Sequence, residues 1–116
     1  MTVRDIVGKL GLTVCCGDEA LEREITGGYA GDLLSDVMAN STAGNVWITM
    51  QVHVNTVAVA VLKELAAIIL VNGRKPAEET LQRAREEKIP VLSGSVPAFE
   101  LAGRLYALGI GVESSC

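Results

Sequence analysis

A chain of 116 residues has room for one hydrophobic core and little for a second, so residues 1–116 read as a single domain. A net charge of −4, with no basic run longer than Arg74-Lys75, argues against nucleic acid, whose phosphates demand a basic footprint. Hydrophobic content is 49% but aromatics only 3%, the filling of strands covered on both faces, and the longest apolar run, 65–71, falls far short of a membrane span.

Val3, Ile6, Val7 and Leu10 recur at helical spacing, with Thr2 before them as N-cap and Gly11 after them as a stop. An extended piece over 12–15 follows, then a turn at Gly17-Asp18 and a short strand over 23–26. Leu33, Leu34, Val37 and Met38 fall on one side of a predicted helix over 32–38, with Asp32 as its cap. Residues 40–45 form a loop by composition, and Val46-Trp47-Ile48-Thr49-Met50 is the clearest strand pattern in the chain.

Asn55 serves as N-cap of a helix running to Glu64. That helix has no polar face across 57–62, and a helix apolar all round needs burial on every side, which points to self-association. The run 65–71 reads as a helix end leading into a buried strand. Pro76 opens the next helix, where Glu78 and Glu79 come early and Arg83, Arg85 and Lys88 late, complementing the helix dipole. Pro90 begins the last strand. Ser95 caps a final helix whose buried stripe is Phe99, Ala102, Leu105 and Leu108; Gly109 and Gly111 stop it, and 110–116 is a loose tail.

Strand-helix alternation builds a three-layer α/β fold, a mainly parallel sheet of about four to five strands flanked by helices. Parallel strands align their C-terminal junctions along one edge, where open sheets bind ligands. Four junctions there are polar or glycine-bearing: Gly27-Gly28 leading to Asp32, Gln51 through Asn55, Asn72-Gly73-Arg74-Lys75, and Ser93-Gly94-Ser95.

Gly27 and Gly28 carry no Cβ to hold a ligand off the backbone, and a helix start at Asp32 would offer N–H groups to an anion. A tight turn with Asp32 as helix cap explains the same residues. The spacing matches neither the dinucleotide fingerprint nor the Walker pattern. His53, the sole histidine, lies between Gln51 and Asn55, and strand alternation would aim all three the same way. A catalytic base needs a partner to orient it, and a hydrogen-bonded junction histidine is the plainer reading. Arg74 and Lys75 would set charge beside a phosphate or carboxylate, and Ser93 or Ser95 a hydroxyl, though turns and caps account for these too. Cys15, Cys16 and Cys116 are a poor disulfide framework and too few for a metal or iron–sulfur site, so idle thiols are expected. With no apolar signal region in Met1-Thr2-Val3-Arg4-Asp5, cytoplasmic location follows.

The run from Ile25-Thr26-Gly27-Gly28-Tyr29-Ala30-Gly31-Asp32 to Met38, with Val46-Trp47-Ile48-Thr49, His53, Asn55, Asn72-Gly73-Arg74-Lys75-Pro76 and Ile89-Pro90-Val91-Leu92-Ser93, resembles the DRTGG domain family. The resemblance covers residues 3–110. Of the motif in the family's name only Thr26-Gly27-Gly28 is present, after Arg23-Glu24-Ile25. The resemblance implies an α/β module, often a dimer, similar to the N-terminal domain of HPr kinase and to a domain in some phosphotransacetylases. The family also occurs beside CBS domains, which bind adenine nucleotides, and its stand-alone members are similar to proteins of anaerobes found near iron-hydrogenase genes. No established catalytic activity comes with it.

The expectation is a non-catalytic, cytoplasmic regulatory or sensory module, homodimeric, binding a small anionic metabolite or nucleotide at the C-terminal edge of the sheet. Its expected site comprises Gly27, Gly28, Asp32, Gln51, His53, Asn55, Asn72, Gly73, Arg74, Ser93 and Ser95. The alternative is a structural adaptor that docks onto a larger metabolic or redox enzyme through the helix at 57–62. The sequence names no cofactor, and neither nucleic acid nor membrane is an expected partner.

Overall fold

Local signals set the first element. The Thr2 hydroxyl accepts the Asp5 N–H while the Asp5 carboxylate accepts the Thr2 N–H, a reciprocal cap that starts α1, Val3–Leu10. Gly11 ends it at φ 64, a left-handed conformation that costs glycine nothing. The computed structural model describes residues 1–111; Cys116 and the rest of 112–116 lie outside the described residues.

Ten further elements follow: β1 (Thr13–Cys16), a single-turn 3-10 helix (Asp18–Ala20), β2 (Gly27–Ala30), α2 (Leu34–Asn40), β3 (Asn45–Thr49), α3 (Asn55–Lys63), β4 (Ala67–Leu70), α4 (Glu78–Glu87), β5 (Val91–Ser93) and α5 (Ala98–Ala107). They form a five-stranded sheet in the order β1-β5-β4-β3-β2. β2, β3, β4 and β5 run parallel, and β1 pairs antiparallel with β5. The fold is α/β and three-layered, as expected.

Period-two alternation sorts the strand residues into two cores. Val46, Ile48, Ala67, Ile69 and Leu92 face α1 and α5, packing with Val3, Ile6, Leu101 and Leu105. Trp47, Ile68, Leu70 and Val91 face the other way, with Val37 of α2, Val57, Val59 and Ala60 of α3, and Ala84 of α4. Burial on both faces is why the strands read as unbroken apolar runs. Each buried large aliphatic side chain stabilises the fold by roughly 1.5–3 kcal/mol. Trp47 is fully buried, and its indole N–H donates to the Gly31 carbonyl at 2.8 Å.

The second strand lies four residues later than the pattern at 23–26 suggests. Gly27 and Gly28 are themselves strand, paired with Asn45 and Val46, whereas Glu24 makes only an isolated bridge to Thr2. Glycine's poor strand propensity yields to the pairing that β3 offers. Thr26 anchors this start: its hydroxyl donates to the Ala43 carbonyl at 2.7 Å and accepts from Asn45 Nδ2 at 3.4 Å.

Several helix starts also differ from the expected caps. Asp32 does not cap α2, because its carboxylate is engaged by the end of β3; Leu33 holds the cap position without a side-chain bond. Asn55 is inside α3, and its N–H donates to His53 Nδ1 at 3.1 Å, so the imidazole does the capping. Pro76 precedes the cap residue Ala77, and Ser95 lies before Pro97, the cap residue of α5. In α5 the buried residues are Leu101 and Leu105, and Phe99 is 93% exposed. Phe99 sits two residues from Leu101, about 200° around the helix, so a stripe centred on Leu101 turns it outward. α3 is only half buried: Ala58, Val61 and Leu62 face solvent. Ile110, by contrast, packs into the core beneath α5.

Candidate functional site

The helices after β2, β3 and β4 all lie on one face of the sheet, but α5, after β5, lies on the other. The loops that leave β4 and β5 therefore diverge, and such a divergence at the carboxyl ends of parallel strands is where α/β sheets open a crevice. Here the crevice proper is closed by the backbone. Gly73 N–H donates to the Gly94 carbonyl at 2.8 Å and Asn72 N–H to the Val96 carbonyl at 3.0 Å. The Ser93 hydroxyl donates to the Arg74 carbonyl at 2.8 Å.

The open space lies beside these crossed loops, over β5 and β1 and against the start of α4, as a cleft of about 450 Å³. Thr13, Ser93 and Ser95 line it with hydroxyls; Cys15, Pro76 and Leu81 line it with apolar surface. Gly11, Gly73 and Gly94 leave its walls low, and Lys75 and Glu78 supply its charges. Thr13 and Ser93 are cross-strand partners, which sets their side chains on one face of the sheet. Cys15 arrives by a bulge: the ladder passes from Val14 opposite Leu92 to Cys16 opposite Val91, leaving Cys15 unpaired. A bulge re-aims the side chain it carries, a device found beside functional sites.

The electrostatics of the cleft are simple. Burial pushes the Cys15 thiol up, and the Lys75 ammonium pulls the other way without cancelling it. Burial likewise raises Cys16, whose thiol reaches the Ile89 carbonyl at 3.7 Å. Both sulfurs are thus neutral thiols at neutral pH, poor nucleophiles and poor metal ligands. Lys75 joins no ion pair among the described residues. Its charge is available to a ligand.

The eleven expected site residues do not form one site. Gly73, Ser93 and Ser95 line the cleft, and Arg74 contributes its carbonyl to the crossed loops beside it. Asp32 and Asn72 border a separate hollow of about 150 Å³ toward β2. There Asp32 is spent on Thr49 and Met50, and Gln51 Nε2 donates to the Asp32 carbonyl at 3.0 Å. Asn55 lies in a groove between α3 and α4 with Glu79, Arg83 and Glu86, two of which pair at 3.7 Å. Gly27 and Gly28 stand at the opposite edge of the sheet, level with the first residues of β3. That edge is pinned by Arg23, whose guanidinium donates to the carbonyls of Leu65 at 3.2 Å and Lys88 at 3.0 Å.

His53 is exposed, and no carboxylate or hydroxyl hydrogen-bonds its imidazole among the described residues. Acid–base catalysis there lacks an orienting partner. Among the described residues, no group of three or more His, Cys, Asp or Glu side chains is placed to hold a metal ion. Nor is any helix long and apolar enough to cross a membrane.

Gly11, Thr13, Cys15, Pro76, Glu78 and Leu81 are cleft residues with no place among the sequence-based candidates. The sequence offers Lys75 with Arg74 as a charge for a phosphate or carboxylate, but only Arg74 enters the expected site. Thr13 and Cys15 carried no signal, because nothing in the sequence says that β1 joins the sheet beside β5.

No protein-family model matches the sequence, and no curated protein matches it. Among solved structures, the chain is similar to the CBS and DRTGG domains of the regulatory region of a pyrophosphatase from Clostridium perfringens, complexed with an activator, diadenosine tetraphosphate. The TM-score is 0.70 at 16% identity, over 96% of this chain and 48% of that one. The chain thus spans about half the length of that neighbour. The likeness establishes a related fold.

Proposed function

We propose that this chain is a regulatory module of the DRTGG type, residues 1–116 acting as one unit, that binds a small anionic ligand in the cleft beside the β4 and β5 loops. The observation that carries this reading is the cleft itself: a concavity of ligand size at the carboxyl ends of parallel strands, with three hydroxyls and an ammonium that joins no ion pair among the described residues. The pyrophosphatase region with which the chain shares its fold is regulatory and was solved with a nucleotide activator, which supports a nucleotide or phosphorylated metabolite as the ligand. Binding restricted to the native state raises its melting temperature. A panel of nucleotides and phosphometabolites at millimolar concentration should therefore shift the thermal transition of the wild type and shift the Lys75→Met variant less. No shift with any compound removes this reading.

A second reading, self-association or docking to a larger enzyme, rests on a different observation. The chain has one Trp, two Tyr and one Phe, yet Phe99 and Tyr106 stand 93% and 60% exposed on α5. Val61 and Leu62 of α3 form a separate exposed apolar patch on the other face of the sheet. Exposed aromatics so concentrated mark contact surfaces. Sedimentation of the wild type and of the Phe99→Ser, Tyr106→Ser variant tests it: a dimer that becomes a monomer supports α5 as the interface. A wild type that is already monomeric and captures no partner rejects it.

A further inference from the structure

The cleft that the proposed function rests on also constrains the charge and shape of what it takes. Its volume, about 450 Å³, holds a ring with one or two substituents and lies in the lower half of the range for small-molecule sites. The walls divide by chemistry. Cys15, Pro76 and Leu81 give an apolar surface with no hydrogen-bonding demand beyond a neutral thiol, suited to the face of a flat ring. Thr13 and Ser95 give hydroxyls that both donate and accept, and Ser93, its O–H committed to the Arg74 carbonyl, gives an acceptor, a set suited to the edge of a heterocycle or the hydroxyls of a sugar.

The charge balance is the deciding feature. One ammonium, Lys75, faces the cleft, and Glu78 stands on the same lining. Its neighbour Glu79, also in the first turn of α4, lines the separate groove between α3 and α4 and adds no charge here. A single phosphate or carboxylate can reach Lys75 and keep clear of Glu78. A chain of phosphates has one cation to meet and the Glu78 carboxylate to repel it, and like charges brought together in a partly enclosed site cost binding. Sites for extended polyphosphates instead present several cations or a backbone cradle of glycines before a helix. Here the amides of Gly73 and Gly94 are already committed, to the carbonyls of Gly94 and Leu70 at 2.8 and 2.9 Å.

We infer that the cleft takes a ring-bearing ligand with a single phosphate, of the nucleoside monophosphate class, and discriminates against polyphosphates. The ring lies against Pro76, Leu81 and Cys15, the hydroxyls of Thr13, Ser93 and Ser95 bond its polar edge, and Lys75 binds the phosphate. This inference rests on the proposed function and adds the ligand's charge and shape to it.

The test is isothermal titration calorimetry of the purified chain, without divalent metal. The titrants are the four ribonucleoside monophosphates, the matching nucleosides and triphosphates, ribose 5-phosphate and diadenosine tetraphosphate. One monophosphate should bind best. Removing its phosphate should weaken binding about ten- to a hundredfold, the worth of one charge-assisted hydrogen bond. Lys75→Met should bring the monophosphate to the affinity of its nucleoside and leave the nucleoside unchanged. Bound monophosphate should also slow alkylation of Cys15, read at that residue by peptide mapping. A triphosphate or diadenosine tetraphosphate that binds more tightly than any monophosphate, or ribose 5-phosphate that equals it, overturns the inference while leaving a ligand-binding module in place. Failure of every titrant to bind or to protect Cys15 overturns the proposed function together with the inference.

Discussion

Asp32 and Thr49 tie the ends of β2 and β3 together: Asp32 Oδ1 accepts the Thr49 hydroxyl at 2.8 Å and also the Met50 N–H at 2.8 Å. Thr49 is 2% exposed, so its hydroxyl has little access to water as a substitute. Asp32→Ala should lower stability by roughly 1–2 kcal/mol, the cost of stranding a buried donor. Urea denaturation should show a lower midpoint at an unchanged m-value. Ligand binding in the cleft, which lies over β5 and β1, should not change. A variant as stable as the wild type would show that the carboxylate is dispensable there.

Gly17 and Gly103 should respond in opposite directions to the same substitution. Gly17 has φ 88, and a Cβ on it would lie 2.5 Å from Pro90 Cα. Gly17→Ala combines a left-handed strain with a backbone collision, together roughly 2–4 kcal/mol of destabilisation. Gly103 lies inside α5, where an added Cβ would meet nothing within 4 Å. Gly103→Ala should stabilise by roughly 0.5–1 kcal/mol through helix propensity alone. Chemical denaturation of the two variants measures both signs, and a tolerated Gly17→Ala would mean that the Pro90 segment gives way easily.

Asp5 makes one end of the molecule sensitive to acid. Hydrogen bonds from the backbone and hydroxyl of Thr2 hold its carboxyl below the ordinary value of 3.8. A carboxylate lowered in the folded state adds stability that is fully present above its unfolded value and lost as pH falls through the folded one. Asp5→Asn should therefore be less stable than the wild type at neutral pH, with the gap closing below about pH 3.8. Thermal melts between pH 2 and 7 follow the gap. A gap independent of pH would remove Asp5 from the acid response.

How much of this was legible depends on whether the deciding contact is local. Thr2, Gly11 and the spaced Val3, Ile6, Val7 and Leu10 lie within one helix and its caps, and their pattern located α1 residue for residue. The two-sided aliphatic runs at β3 and β4 announced a covered sheet, because burial on both faces removes the alternation a half-exposed strand would show. The cleft was less legible. Asp32 looks like a cap until β3 is beside it, Gly27 and Gly28 look like a loop until Asn45 and Val46 pair with them, and Thr13 meets Ser93 only through strand order. These are contacts between distant segments, set by the sheet and not by the neighbouring sequence.

Cys15 and Cys16 should mark the alkaline limit of stability. Burial raises both thiols from an ordinary value of 9.0, so the folded state holds protons that the unfolded chain releases. Their contribution is whole below pH 9.0 and is lost as pH climbs through the higher folded values. The stability difference between the wild type and a Cys15→Ala, Cys16→Ala variant should stay constant from pH 7 to 9 and move in favour of the variant above that. Denaturation at pH 7, 9 and 10 reads it directly. An unchanged difference at pH 10 would show that the thiols titrate alike in both states.

The crossed hydrogen bonds, Gly73 to Gly94 and Asn72 to Val96, tie together the β4 and β5 loops that flank the cleft. A ligand that settled there, as we propose, would find its place already made. On the function we propose, such a protein would report by occupancy, altering what its rim presents to a neighbour, and so would work as a badge that is worn or not worn.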